Sequence, residues 1–414
     1  MLSVLSVFSG GGGMDIGMEG GFSCLARSIN TVLHPDWVSQ RNGDWVELKK
    51  TGFETVFAND IMPAAKAAWV SYFSQQRKDA NALYHLESIV DLVKRARAGE
   101  DVFPANVDVV TGGFPCQDFS IAGKRNGFNS HRSHDGGFLD VGAPSVESRG
   151  QLYMWMRDVI TITQPSLFIA ENVKGLTNLA DVKEVIEHDF ADAAAGGYLV
   201  IPARVLNAAN FGVPQARERV IFFGFKKSAL RPDALTALTH PVIVPEYDPY
   251  PIPTHAHTVS LEDGRMPIVT CADAFIGLVE PEFSNDKSQQ KYSGAKYMGR
   301  HCQGQTEVKM DSVGPTIRSE HHGNIEYRRL SAEHGGTHTA ELNAGLPERR
   351  LTLRECARIQ TFPDNYQFIL SPTSDNVSVS SSDGYKVIGN AVPCILAYNI
   401  AMNIAEKWNR YFGG

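Results

Sequence analysis

The chain contains no apolar run approaching the ~20 residues that a membrane-crossing helix needs. Its start, Leu2-Ser3-Val4-Leu5-Ser6-Val7-Phe8, lacks the charged opening and small-residue cleavage site of a secretory leader. No C-x-x-C pair occurs among Cys24, Cys116, Cys271, Cys302, Cys356 and Cys394. That spacing suggests neither a disulfide framework nor a structural zinc site, no metal is expected, and a reducing cytoplasm fits. Positive charge is also in deficit. Against 46 Asp and Glu stand 39 Lys and Arg, a net −7, which argues against blanket affinity for a polyanion. The average hides an asymmetry. Residues 291–360 carry a net +3 and five of the 13 histidines, so a polyanion-binding surface is expected there.

What is present is a chain of 414 residues with 43% hydrophobic content, ample for a sizeable core. The length suits two or three domains, or one large domain with another inserted. The apolar run Val107-Asp108-Val109-Val110 stops at Thr111-Gly112-Gly113-Phe114-Pro115-Cys116-Gln117. This reads as a buried strand that ends in a rigid turn with a thiol at its tip, at the sheet edge where α/β proteins hold ligands. Taken alone, Cys116 is better read as a small buried hydrophobe than as a nucleophile. The other motifs overturn that reading.

The first strand ends in Phe8-Ser9-Gly10-Gly11-Gly12-Gly13, followed by a helix with apolar Met14, Ile16 and Met18. Strand, glycine turn and helix make a nucleotide-binding unit, because glycines let a ligand approach the backbone and the helix start offers free N–H groups. A second strand, Thr55-Val56-Phe57-Ala58, closes on Asn59-Asp60. The acidic residue is placed for ribose hydroxyls or as a cap for the helix that Pro63 opens. Residues 30–52 read as an inserted surface segment without a clear period. After Cys116 comes a long polar loop to Gly150, and loops of that length are usually functional or disordered. The strand Ser166-Leu167-Phe168-Ile169-Ala170 ends in Glu171, which puts a carboxylate at the same sheet edge as Cys116 and in a position to donate a proton. Arg217 and Arg219 alternate along an extended segment and so share a face. Two adjacent cations call for an anion or a carbonyl-rich ligand.

Composition shifts after Phe225. Residues 230–348 are rich in Pro, Gly, His and Thr and read as a separate, irregular domain inserted into the first. Arg349 to Gln360 reads as a basic helix with Thr352 and Glu355 as a capping box. A Ser-rich loop (371–383) leads to Gly389-Asn390-Ala391-Val392-Pro393, a turn fixed against an apolar C-terminal helix.

Taken together, the set resembles the bacterial-type DNA (cytosine-5)-methyltransferase family. Six blocks stand in the family's order: Phe8-Ser9-Gly10-Gly11-Gly12, Gly113-Phe114-Pro115-Cys116-Gln117, Glu171-Asn172-Val173, Gln215-Ala216-Arg217-Glu218-Arg219, Arg354 to Gln360, and Gly389-Asn390-Ala391-Val392-Pro393. The resemblance implies an α/β, Rossmann-like S-adenosylmethionine-dependent methyltransferase domain with a small, irregular, mostly β target-recognition domain inserted. Residues 1–229 with 383–414 would be catalytic and cofactor-binding, and 230–370 the recognition domain with its hinge. Duplex DNA would be the substrate.

By the same resemblance, the Cys116 thiolate adds to C6 of a flipped-out cytosine, Glu171 holds the N3 and N4 edge, and Arg219 holds O2, with Arg217 beside it. Phe8, Gly10, Gly12 and Pro115 would lie along the methionine portion of S-adenosylmethionine, and Asp60 at the ribose. Leu152, Asn390 and Val392 would form the cofactor wall, with S-adenosylhomocysteine as product. Where the family prefers an aspartate at the adenine, Ser88 stands here, with Glu87 beside it. Residues 129–147 look like a second insertion, in the loop that would close over the base. Ser120, Lys124 and Arg125 of that loop, with Arg300, Arg318, His321, His322 and Asn324 of the recognition domain, are the expected DNA contacts. A bacterial, cytoplasmic, nucleoid-associated monomer fits, with a separately encoded restriction endonuclease as the companion such enzymes can have. Three rival readings are a tRNA cytosine-5 methyltransferase, a catalytically silent DNA-binding protein, and a dinucleotide-dependent oxidoreductase. The size of the recognition region disfavours the first. Intact Cys116, Glu171 and Arg219 disfavour the other two.

Overall fold

A computed structural model describes residues 1–115, 152–178, 182–259, 264–319, 325–374 and 376–413. Cys116, Ser120, Lys124, Arg125, His321, His322 and Asn324, together with the long polar loop and its insertion, lie outside the described residues. The strands in chain order are β1 (Leu2–Val7), β2 (Ser23–Leu25), β3 (Val38–Asn42), β4 (Trp45–Leu48), β5 (Phe53–Asp60), β6 (Tyr84–Leu86), β7 (Val109–Gly113), β8 (Leu167–Val173), β9 (Tyr198–Asn207) and β10 (Glu218–Lys226). Short ladders follow: β11 (His255–Ala256), β12 (Met266–Pro267), β13 (Tyr327–Arg329) and β14 (Arg349–Arg350). The helices are α1 (Gly13–Glu19), α2 (Pro63–Phe73), α3 (Ala80–Leu83), α4 (Ile89–Arg97), α5 (Leu152–Thr163), α6 (Val182–Ala191), α7 (Pro232–Thr239), α8 (Cys271–Ala274), α9 (Thr339–Asn343), α10 (Leu353–Ile359), α11 (Ser381–Asn390) and α12 (Cys394–Phe412).

A seven-stranded sheet in the order β6-β5-β1-β7-β8-β10-β9 organises the molecule. The pairs from β6 to β8 are parallel, and β10 runs antiparallel to both of its neighbours. From β1 the chain builds outward through β5 and β6, then returns to the other side of β1 as β7. The crevice outside the C-terminal ends of β1 and β7 is therefore the topological switch point. Side chains alternate between the faces, as a sheet covered on both sides requires. Val4, Val109, Ile169 and Ile221 join one apolar cluster, with Ile16, Trp69 and Tyr398 from α1, α2 and α12. Leu5, Val110, Phe168 and Val220 join the other, with Val93, Met156 and Ile186 from α4, α5 and α6.

Three local expectations need correction. Residues 30–52 are not irregular: β3 and β4 form a hairpin over Gly43, and β2 completes a three-stranded sheet. Trp37 buries it against the body, packing edge-on to Tyr398 while its Nε1–H donates to Glu406 at 2.8 Å. The Ser-rich stretch gives way to helix earlier than expected, because Ser380 and Asp383 form a capping box and α11 runs to Asn390. Gly389 and Asn390 thus close one helix, and Pro393 caps the next. Within Ser381–Phe412 an 18-residue window is apolar enough to cross a membrane by length and composition alone, but 83% of that window lies buried inside the protein.

The inserted region is irregular, as its composition implies, with only two-stranded ladders among its described residues. Its beginning packs on the body that carries the seven-stranded sheet. Leu230, Ala234, Leu238 and Tyr250 share the core with α12, and Arg231 N donates to Tyr411 O at 2.8 Å. Ile317, Ile325 and Leu351 belong to that same cluster, so apolar packing runs without a break from one region into the other.

Candidate active site

Gly113 pairs in register with Glu171 across β7 and β8. A Cβ on Gly113 would stand 2.7 Å from Glu171 Oε2, so only glycine lets the carboxylate lie against the tip of β7. Asn172 Nδ2 donates to Phe114 O at 3.1 Å and fixes the backbone just before Pro115 and Cys116. Across β8 and β10, Glu171 faces Ile221, and Arg219 lies two residues from Ile221 on the same face. That diagonal brings Arg219 Nε to 2.5 Å from Glu171 Oε1. Arg219 Nη1 also donates to Glu218 O at 2.8 Å. A charge-assisted pair this well buried orients both groups at the sheet edge where the chain leads to Cys116.

Arg217 behaves differently from its neighbour. It is 1% exposed, and its guanidinium donates to Ile317 O at 2.9 Å and to Gly389 O at 2.7 Å. The two arginines thus make different contacts. Arg219 meets a carboxylate, whereas Arg217 is taken up by main-chain carbonyls that join distant segments of the protein.

The glycine turn after β1 is tightly built. Phe8 and Gly10 are left-handed, with φ of 55° and 53°. A non-glycine residue there costs about 1–3 kcal/mol, and such strain gathers at ligand sites. Among the described residues, no atom beyond its chain neighbours lies within 4 Å of a Cβ added at Gly10, so its flank is open there. Gly12 is the opposite case: its added Cβ would stand 2.5 Å from the Trp69 ring. Gly10 N donates to Asp60 Oδ2 and Met62 N to Asp60 Oδ1, each at 3.0 Å. Burial pushes the Asp60 carboxyl above its usual range, against the pull of the Met62, Gly10 and Ile61 amides. Tyr84 and Tyr366 clasp the turn from outside, their hydroxyls donating to Gly10 O at 2.9 Å and Gly11 O at 2.7 Å. Beneath it, the buried Asp15 accepts from Ser6 Oγ at 2.6 Å and Trp69 Nε1 at 2.8 Å. Desolvation raises Asp15 to about 6.

The remaining expected cofactor residues stand in different settings. Pro115 is half-buried, Leu152 is buried at the start of α5, and Val392 is buried with its carbonyl against Gly13. Asn390 is exposed at the end of α11. Ser88 Oγ accepts from Val90 N at 3.3 Å, so the hydroxyl caps α4, and Glu87 pairs with Arg95 at 2.7 Å.

On the expected DNA side, Arg318 is a third exposed and pairs with the buried Glu326 at 3.1 Å. Arg300 is exposed near Gly335. The basic surplus of residues 291–360 is largely internal. Arg329, Arg349, Arg350, Arg354 and Arg358 are buried, and Arg349 bonds Glu355 at 2.9 Å and Glu280 at 2.8 Å. Lys291, Lys296, Arg300 and Lys309 remain exposed. Sequence reasoning missed Asn172, Tyr84, Tyr366, Gln215 and Glu326 as supports. Asn172 sat in plain view beside Glu171 and Glu326 pairs with Arg318 eight residues away; Tyr84, Tyr366 and Gln215 act through partners far away in the chain.

The model of a family described as C-5 cytosine-specific DNA methylase matches residues 42–406. The chain is 30% identical over 412 residues to the type II methyltransferase M.BsuRI of Bacillus subtilis, covering 98% of this chain and 79% of that protein. With M.NgoPII of Neisseria gonorrhoeae it shares 28% identity over 423 residues, 99% of this chain and 97% of the relative. The fold is similar to that of the S. pombe Dnmt2 methyltransferase, with a TM-score of 0.52, 18% identity and 98% of each chain covered.

Proposed function

We infer how the residues divide the chemistry from one premise: this chain belongs to the C-5 cytosine-specific DNA methylase family, and it methylates cytosine in DNA at C5. Cytosine C5 is a weak nucleophile, so the ring must first be activated. The Cys116 thiolate adds to C6, which splits one difficult step into easier ones. Glu171 holds the N3 and N4 edge and supplies the proton that N3 takes up as the sulfur adds. Arg219 holds O2 and keeps the Glu171 carboxyl in place. After methylation the C5 proton passes to solvent, its bonding pair re-forms the C5–C6 double bond as the C6–S bond breaks and returns the thiolate, and N3 gives its proton back to Glu171. The observation that carries this assignment is the Arg219–Glu171 pair beside Gly113, three residues before Cys116.

The family uses S-adenosylmethionine, which supplies the methyl group. The residues at the turn suit it. Left-handed Phe8 and Gly10 leave an open flank for the methionine portion, and Asp60 presents a carboxyl for ribose hydroxyls. Gly12, Pro115, Leu152, Asn390 and Val392 would complete the wall. A base inside a duplex is out of reach, so the cytosine must be flipped out. The recognition region, 230–348, would then read the flanking sequence, with Arg300 and Arg318 as candidates for guanine edges or phosphates. We place the enzyme in the bacterial cytoplasm, acting as a monomer on duplex DNA, with a restriction endonuclease as companion. Bisulfite sequencing of DNA from cells expressing the chain tests the reading. Protected cytosines in one recurring sequence are expected, and uniform conversion would contradict it.

A further inference from the structure

The segment at 314–319, which belongs to the recognition region, is clamped between two parts of the catalytic body. On one side, Gly314 N donates to Pro214 O at 2.9 Å, Ala216 N donates to Gly314 O at 3.0 Å, and Thr316 Oγ1 donates to Ala216 O at 2.6 Å. On the other side, a Cβ added at Gly389 would stand 2.3 Å from the carbonyl carbon of Arg318. Backbone lies directly on backbone there, so this arm and α11 cannot shift independently. Close-packed interiors pass such displacements on.

Two fully buried glutamines extend the contact. Gln215 Oε1 accepts from Ile317 N at 3.1 Å, and Gln215 Nε2 donates to Ile359 O at 3.3 Å and to the side-chain oxygen of Gln360. Gln360 Nε2 in turn donates to Ala391 O. Ala391 and Val392 press on the glycine turn, where a Cβ added at Gly13 would stand 2.3 Å from Val392 O and 3.0 Å from Ala391 Cβ. A continuous set of buried hydrogen bonds thus runs from the recognition arm to the wall of the cofactor turn. Each amide uses both its donor and its acceptor. Moving the arm would take Ile317 N from Gln215 Oε1, leaving it only the long 3.5 Å contact from Arg217 Nη1, and a buried amide resists that.

We propose that Gln215 and Gln360 are positioning residues that link DNA engagement by the 314–319 arm to cofactor binding at the glycine turn. Neither touches a reacting atom. The link rests on the cofactor reading given above. By linkage it acts equally in both directions, so that each ligand tightens the binding of the other by the same factor.

The test is a pair of titrations on the full chain. Binding of a fluorescently labelled duplex carrying the sequence located by bisulfite sequencing is followed by anisotropy, with and without saturating S-adenosylhomocysteine. Binding of S-adenosylhomocysteine alone is measured by calorimetry. In the wild type, S-adenosylhomocysteine is expected to tighten DNA binding about five-fold or more. In Gln215→Met and Gln360→Met that ratio falls toward one, while the affinity for S-adenosylhomocysteine alone stays near the wild-type value. A general loss of stability would weaken binding without removing the ratio. Should Gln215→Met fail to fold, Gln360→Met breaks the same link from its far end. A wild-type ratio of one, or a ratio the substitutions leave unchanged, overturns the proposal alone. A wild type that binds no S-adenosylhomocysteine overturns the cofactor reading with it.

Discussion

Arg219 and Glu171 meet diagonally across β8 and β10, with 2.5 Å between Nε and Oε1 and side chains only 11% and 10% exposed. Glu171→Gln keeps the shape but removes the proton that the ring needs. Methyl transfer should fall by about two to four orders of magnitude while DNA binding persists. A single-turnover assay with labelled S-adenosylmethionine measures this, and an unchanged rate would count against the role. Arg219→Ala should lower stability as well, by about 3–5 kcal/mol, because it leaves a buried carboxylate without its partner.

Arg217 holds two main-chain carbonyls, Ile317 O and Gly389 O, and so ties distant segments together. Arg217→Met should cost about 1–3 kcal/mol for each buried carbonyl left without a donor. Urea unfolding reads this directly. Wild-type stability combined with complete loss of methyl transfer would return Arg217 to the reaction centre.

The two glycines of the turn should respond in opposite ways. At Gly10 a methyl group enters open space next to the proposed cofactor. Gly10→Ala carries only the strain of its left-handed backbone, about 1–3 kcal/mol, and is expected to fold and to bind S-adenosylhomocysteine more weakly. At Gly12 the methyl group meets the Trp69 ring, so Gly12→Ala should lose thermal stability first. Calorimetric binding and thermal midpoints separate the two, and identical profiles would contradict the difference.

Strands β5, β7 and β8 were legible because their apolar runs stop abruptly at glycine, asparagine or a carboxylate. Gly113, Glu171 and Asp60 all lie at one sheet edge as that pattern implies. The Thr352–Glu355 capping box was equally legible, since both of its bonds are local. What stayed hidden depends on partners far along the chain. Arg217 bonds residues 100 and 172 positions away, which no local pattern records. Arg349 and Arg350 read as a basic helix start, yet they form a short strand and are buried by Glu280, Glu355 and main-chain carbonyls. The 30–52 hairpin was missed because its strands are short and its anchor, Tyr398, lies in the last helix.

Asp15 provides a pH dependence of known sign. Its carboxyl is raised from 3.8 to about 6 by burial, with Ser6 and Trp69 opposing. The native state therefore holds this proton more tightly than the unfolded chain. The stability it contributes is present below 3.8 and is lost as pH rises toward 6, by ~3 kcal/mol at most. Thermal midpoints of Asp15→Asn should lack this fall and exceed those of the wild type above about pH 6. Parallel pH profiles for the two proteins would refute the burial argument.

The most direct measurement places a cytosine fluorinated at C5 in the target sequence and incubates the duplex with the chain and S-adenosylmethionine. Fluorine cannot leave as the proton does, so the C6–sulfur bond should persist. Mass spectrometry is expected to find a protein–DNA adduct on the peptide containing Cys116, and none with Cys116→Ala. An adduct that survives the substitution, or no adduct from a chain that methylates the unmodified site, would contradict covalent activation by Cys116.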